Sequence, residues 1–175
     1  MLMASVNAFS QKYFTRNGHI WFYSEAPLEN IEAHNYQATS ILDIGKGDMA
    51  FSVLIKGFEF EKALMQEHFN EKYMHSDKHP KSTFEGRILN LDKIDLTKPG
   101  VHKVRVGGKL TIHGVTKDVE TDGTLEVKDG KIHGKAKFQV AVADYDITIP
   151  AVVKDNIAKI LDVNVDVVYE PYKSN

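Results

Sequence analysis

Three histidines carry the strongest case for site chemistry in this chain. His68, His75 and His79 lie close together, with Glu67 and Asp77 among them. Imidazole and carboxylate are a common donor set for zinc. The spacing is H-x6-H-x3-H and runs from a helix end into a loop, which matches no zinc motif of known geometry. His68 also shares the apolar face of that helix, so a histidine bonded locally in a core or pocket is the plainer reading. His113 and His133 keep the parity of neighbouring strand lysines. That parity puts them in solvent and argues against a catalytic role.

Other chemical apparatus is scarce. The chain has no cysteine, which excludes disulfides, thiolate zinc sites, iron-sulfur clusters and cysteine nucleophiles. No G-x-S-x-G elbow and no phosphate loop occur. Most carboxylates fall on outer strand faces, and no two are paired in an evident cleft for acid-base work. The net charge of -2 gives no general attraction to nucleic acid or anionic membrane. No apolar stretch reaches the ~18 residues of a membrane helix. No metal and no cofactor is therefore expected. What remains is aromatic: Trp21, Phe22, Tyr23, Phe51, Phe58, Phe60, Phe69, Phe84 and Phe138 lie on or beside strands or the helix. Such residues fill a core, or some of them line a tunnel.

The elements that position these residues are nearly all strands. Residues 11–16 and 19–25 are aromatic-rich and flank Asn17-Gly18, a hairpin signal. Residues 31–44 are extended, and Gly45 to Asp48 form a turn. Met49, Phe51, Val53 and Ile55 then share one face of a strand over 49–58. Residues 61–74 predict the one convincing helix, with Leu64, Met65, His68, Phe69 and Tyr73 at three- and four-residue spacing. The helix stops before Pro80, whose ring forces its neighbour His79 into extended backbone. Phe84 and Ile88 alternate with charged Glu85 and Arg87, as in a half-buried strand. One helix inside an all-strand chain suggests a barrel with a helical plug or lid.

Three later strands can be registered against each other. They are 101–113, 115–128 and 131–142. Asp129-Gly130 closes a two-residue hairpin, so Val127 faces Ile132 and Thr121 faces Phe138. His113-Gly114 puts Ile112 opposite Val115. A one-residue slip would turn each apolar set to water. On the outer face the register pairs Lys109 with Asp118, Arg105 with Asp122, Glu126 with His133 and Asp122 with Lys137. Each such pair is worth roughly 0.2–1 kcal/mol. Gly107-Gly108 mark a bulge or sharp bend. Residues 90–100 are a loop, 151–157 allow a short helical turn, and 159–169 form the closing strand.

Four segments in this order resemble the YceI-like family of lipid-binding proteins: FEKALMQEHFNEKYM, HPKSTFEGRI, GGKLTIHGVTKDV and DYDITIP. The likeness spans about residues 13 to 170. It includes the motif positions Pro80, Phe84, Gly86, Leu110, Thr111, Gly114, Val115 and Thr116. The resemblance implies an all-β fold, an extended antiparallel eight-stranded lipocalin-like barrel with one amphipathic helix (about 61–74). It implies a long cavity for a polyisoprenoid or fatty-acid-like chain, with no catalytic centre. It is compatible with a homodimer, and it implies export to the periplasm.

The expected lipid-binding residues are Phe22, Phe51, Val53, Phe58, Phe69, Phe84, Ile88, Leu110, Ile112, Phe138 and Val140. One barrel domain is expected over 11–175. Residues 1–10, with the small-x-small pattern Val6-Asn7-Ala8, are expected to be the tail of a secretory signal. Two alternatives stand beside the lipid carrier. One is a metal-binding or enzymatic protein using His68, His75 and His79. The other is a stress or adhesion module that uses its surface.

Overall fold

A computed structural model describes residues 11–173; the expected signal tail at 1–10 lies outside them. The strands are β1 (Lys12–Glu25), β2 (Asn30–Asp43), β3 (Asp48–Leu54), β4 (Glu59–Phe60), β5 (Lys81–Ile88), β6 (Gly100–Ile112), β7 (Val115–Lys128), β8 (Lys131–Ala141) and β9 (Ile160–Pro171). They follow the order β1-β9-β8-β7-β6-β5-β3-β2, and β1 pairs with β2 to close the ring. The result is a closed eight-stranded antiparallel barrel. The two-residue β4 adds to β2 at Ala33 and His34.

Turn chemistry explains which connections are tight. Asp129 and Gly130 have φ of 52° and 74°, and His113 and Gly114 have 53° and 76°. Two successive positive φ values define the hairpin turn whose twist matches the strands. Val127 accordingly faces Ile132, and Ile112 faces Val115. Asn17-Gly18 is different. The expected hairpin is absent, and β1 runs through it as one strand. Neither residue takes positive φ. The Asn17 N–H donates to Thr15 Oγ1 at 3.2 Å, and the register to β2 shifts between Thr15 and Gly18. The dipeptide is a bulge. Gly18 is required there because a Cβ would lie 2.8 Å from Val167 Cγ1 and 3.0 Å from the Ala38 carbonyl oxygen.

Gly107 and Gly108 show the reverse. The ladders from β6 to β5 and to β7 pass them without a register shift, so no bulge forms. Their role is close approach: a Cβ on Gly108 would sit 2.3 Å from the Glu85 carbonyl oxygen. The helix is also shorter than its periodicity suggests. α1 covers Ala63–His68, and Phe69–Tyr73 continue as a wider π-helical turn. Leu64, expected on the buried face, is exposed.

On the outer surface Lys109 pairs with Asp118 at 2.9 Å, and Arg105 with Asp122 at 3.0 Å and Glu120 at 3.2 Å. The other two expected pairs are replaced. Glu126 is the backbone partner of His133, yet the His133 imidazole bonds Asp166 of β9. Lys137 reaches Asp162 of β9 at 3.7 Å rather than Asp122. For Lys137 the cause is strand separation. The β7–β8 ladder runs from Lys128↔Lys131 to Gly123↔Ala136 and stops, so the expected facing of Thr121 and Phe138 is not a ladder pair. β8 stays paired with β9 from Ile132 to Ala141.

The two ends of the barrel differ. Near the Asp129-Gly130 turn, Leu42, Ile88, Leu96, Val104, Leu125, Ile132, Val167 and Tyr169 form a packed floor. The Tyr169 hydroxyl donates to Ser40 Oγ at 2.7 Å, and Ser40 donates onward to the Ala50 carbonyl at 2.8 Å. Burial pushes the Tyr169 phenol far above its usual pKa, so this buried polar pair is neutral and satisfied. The other end carries the β1–β2 loop, the helical segment, the His113-Gly114 turn and residues 142–159.

Candidate functional site

Between floor and helical cap lies a cavity of about 420 Å³, within the usual size of small-molecule sites. Strand alternation builds its wall. Ile20 and Phe22 come from β1, Met49, Phe51 and Val53 from β3, and Phe84 from β5. Val104, Val106, Leu110 and Ile112 come from β6, while Phe138 and Val140 come from β8. On β9, Leu161, Val163, Val165 and Val167 repeat every second residue. Ten of the eleven expected residues therefore face this space. Ile88 does not: it belongs to the packed floor.

Aromatic rings seat the cap. Phe22 lies 5.4 Å from Phe58, 5.9 Å from Phe60 and 5.6 Å from Phe69, centroid to centroid. Phe60 and Phe69 are 4.9 Å apart. Such spacings add attraction beyond area burial. Met74, buried beside them, completes the cluster.

Several lining residues escaped the sequence reading because they are small. Thr121, Gly123, Gly134 and Ala136 form the wall on β7 and β8. Their signal was present as inward parity with no bulk. A second hollow of about 640 Å³ lies between residues 44–46 and 87–97. It is larger, yet Lys46, Arg87, Asp92 and Asp95 border it. Its lining mixes these charges with apolar side chains, and it is more open to solvent than the barrel cavity.

The histidines do not assemble as the metal alternative requires. Among the described residues no group of three or more His, Asp or Glu is placed to hold a metal ion. His68 is half-buried, with Lys72 Nζ 3.3 Å from its Nε2. His75 and His79 instead gather around His113, which the sequence had placed in open solvent. His113 Nδ1 lies 3.0 Å from the Tyr145 carbonyl oxygen, and its Nε2 lies 2.9 Å from His75 Nδ1. A carbonyl only accepts, so His113 donates from Nδ1, while its Nε2 and His75 Nδ1 share a hydrogen bond. Both nitrogens of His113 are thereby engaged. Partial burial, then the charges of His113, Lys78 and His75, push the His79 imidazole below its usual pKa. None of these imidazoles lines the cavity.

What the cavity offers is apolar burial. A closed antiparallel barrel with a hydrocarbon-lined hollow and a helical cap is a lipocalin-like binding architecture. The chain belongs to the YceI-like domain family, whose domain matches residues 17–169. A polyisoprenoid-binding domain from Saccharophagus degradans implicated in plant cell wall breakdown superposes with a TM-score of 0.77 at 13% identity, over 93% of this chain and 99% of that one. Burkholderia cenocepacia BcnA gives 0.72 at 16% identity, over 86% and 95%. A Campylobacter jejuni YCEI protein gives 0.59 at 18% identity, over 86% and 90%. At these identities the likeness is one of fold. A comparison with curated proteins finds no significant match.

Proposed function

We propose that this protein binds a long isoprenoid or fatty-acid-like chain inside the barrel and carries or sequesters it without catalysis. The observation that carries the reading is the roughly 420 Å³ apolar hollow, walled by hydrocarbon from seven strands. Membership of the YceI-like family and the polyisoprenoid-binding description of the Saccharophagus neighbour support it. Burying about fifteen methylenes yields roughly 12 kcal/mol before association costs, at about 0.8 kcal/mol each. Association consumes several kcal/mol of that gain, so useful affinity needs no charged anchor.

The test is solvent extraction and mass spectrometry of gently purified protein, beside native mass spectrometry of the intact chain. One prenyl or acyl species near one per chain is expected. A protein that is empty and also rejects added geranylgeraniol and palmitate would overturn the reading. In a folded Phe138→Asp variant, retention should be lost.

A periplasmic or secreted location belongs to the same proposal, on the Val6-Asn7-Ala8 pattern, and cell fractionation reads it. Among the described residues no helix is long and apolar enough to cross a membrane. A homodimer is carried by the family resemblance alone and is read by light scattering.

A further inference from the structure

The barrel wall is not equally closed all round. Val115 to Asp122 of β7 are each paired with β6, and Lys137 to Ala141 of β8 are each paired with β9. Between these two stretches the ladder is missing. The contact recorded across the gap is a long 3.4 Å bond from Thr121 Oγ1 to the Lys137 carbonyl. The seam lies at the capped end of the barrel.

The cavity follows the seam. Inward-pointing residues line it on nearly every strand. On β7 and β8 the outward residues Glu120, Thr124, Lys135 and Gln139 border it as well. Elsewhere among the lining strand residues only Thr83 breaks the alternation. Gly123 and Gly134 supply no side chain to thicken the wall at the apex of the gap.

A short turn stands against the seam where the ladder is missing. The turn Val142–Tyr145 touches both β7 and β8. Its Tyr145 is 3% exposed and sits with Leu110 and Val140, packed by Val115, Val119 and Phe138. The turn ends at Asp146 with φ 55°, a left-handed backbone. Its latch is the Tyr145 carbonyl, which accepts from His113, which in turn is hydrogen-bonded to His75 of the cap. His75 and His113 also have positive φ, 46° and 53°. Two non-glycine residues of this hydrogen-bonded path, with Asp146 next to it, thus lie in this uncommon region, and such strain is held only where surrounding structure over-determines it. The opposite route, beneath the helical cap, is sealed by the four packed phenylalanines.

We propose that the β7–β8 seam is the portal through which the apolar chain enters and leaves the barrel sideways, with Tyr145 as its gate and His113 as the latch. The proposal rests on the lipid-binding reading above. It makes exchange a local event that leaves the cap and the other ladders intact.

The chain has no cysteine, so paired cysteines report cleanly. Asp122→Cys with Lys137→Cys puts two outward thiols on the two sides of the seam, at residues that do not line the cavity. Glu29→Cys with Lys62→Cys puts two at a 2.9 Å ion pair joining cap to rim. Each pair is bridged with a short bismaleimide, and cis-parinaric acid uptake and release are followed by stopped-flow fluorescence. Bridging the seam should slow both rates at least tenfold at unchanged equilibrium affinity, while bridging the cap leaves them alone. Unchanged rates with the seam bridged, or slowing only with the cap bridged, would overturn the portal. If the unbridged parent binds no cis-parinaric acid at all, the lipid-binding reading fails and the portal falls with it. A second variant needs no reagent. His113→Asn keeps a residue at ease with positive φ and removes the latch. Losing one such bond should speed release roughly 3- to 10-fold. Release unaltered in a folded His113→Asn protein counts against the latch.

Discussion

Replacing Ala136 with leucine should set a chain-length limit. Ala136 lies on the cavity wall, opposite Gly123 on β7 and Val165 on β9. Gly123 presents no side chain, so a leucine at 136 has room to extend into the hollow. Its three added carbons occupy space for roughly three ligand methylenes, at about 0.8 kcal/mol each. A ligand long enough to use that space should lose about 2.4 kcal/mol, or about 50-fold in Kd. A ligand too short to reach it should lose nothing. The assay is displacement of cis-parinaric acid by saturated fatty acids of increasing length, with melting followed by circular dichroism. The melting temperature should hold or rise, because apolar volume is being added to a void. Undiminished affinity for the longest acids in a folded variant would refute the reasoning, since the chain would then not run past Ala136.

Three further outcomes follow from buried contacts. Tyr169→Phe should cost about 1 kcal/mol, or about 2–4 °C in melting temperature; because the hydroxyl points to Ser40, a tenfold loss of ligand affinity would show that it serves the ligand instead. Gly108→Ala should cost more than about 3 kcal/mol by overpacking against backbone, since its Cβ would lie 2.3 Å from the Glu85 carbonyl oxygen. Gly107→Ala should be mild, because the nearest atoms there belong to the Leu89 and Glu120 side chains; equal melting temperatures for the two variants would contradict this. Acidification should destabilise the fold through His19 and His79. Partial burial lowers both pKa values; His34 adds to the effect on His19, Asp166 opposes it, and His113, Lys78 and His75 add to the effect on His79. The unfolded chain then takes up protons first, so their contribution is complete above the ordinary value of 6.5 and fades as pH falls below it. The urea midpoint should drop between pH 7.5 and 5.5, and less so in His79→Gln. An identical drop in His79→Gln would remove His79 from the account.

Much of the barrel could be read before folding. The β6-β7-β8 register was legible because both turns are two residues long and because apolar parity penalises a one-residue slip. The inward phenylalanines were legible for the same reason. Asn17-Gly18 misled because a hairpin and a bulge use the same residues. What distinguishes them is Val167 and Ala38 packed against Gly18, and both lie far away in sequence. The Asp122–Lys137 pairing failed on similar ground: local parity extends a ladder indefinitely, and only the closed barrel decides where two strands part. The histidine cluster was hidden for a related reason. His113 reads as exposed on its strand, and only the return of residues 142–145 places a carbonyl against it.

The hollow and the open seam have a common origin. Inward bulk declines along β8 from Ile132, at the packed floor, to Gly134 and Ala136. β7 contributes Gly123 at the matching level, and the ladder between the strands ends there. The β8 backbone presses close at this point: a Cβ on Gly123 would meet the Lys135 carbonyl oxygen at 2.8 Å. A side chain there would force the strands apart lower down and break the floor. Glycine therefore keeps β7 and β8 zipped as far as this level, leaves the interior empty just above it, and lets the strands diverge beyond. Valine at Gly123 should undo all three together. The β7–β8 ladder would shorten, His133 and Ile132 amides would lose protection in hydrogen exchange, and the floor would loosen. Protection equal to the parent's in a folded Gly123→Val protein would show that the glycine is incidental to both the cavity and its opening.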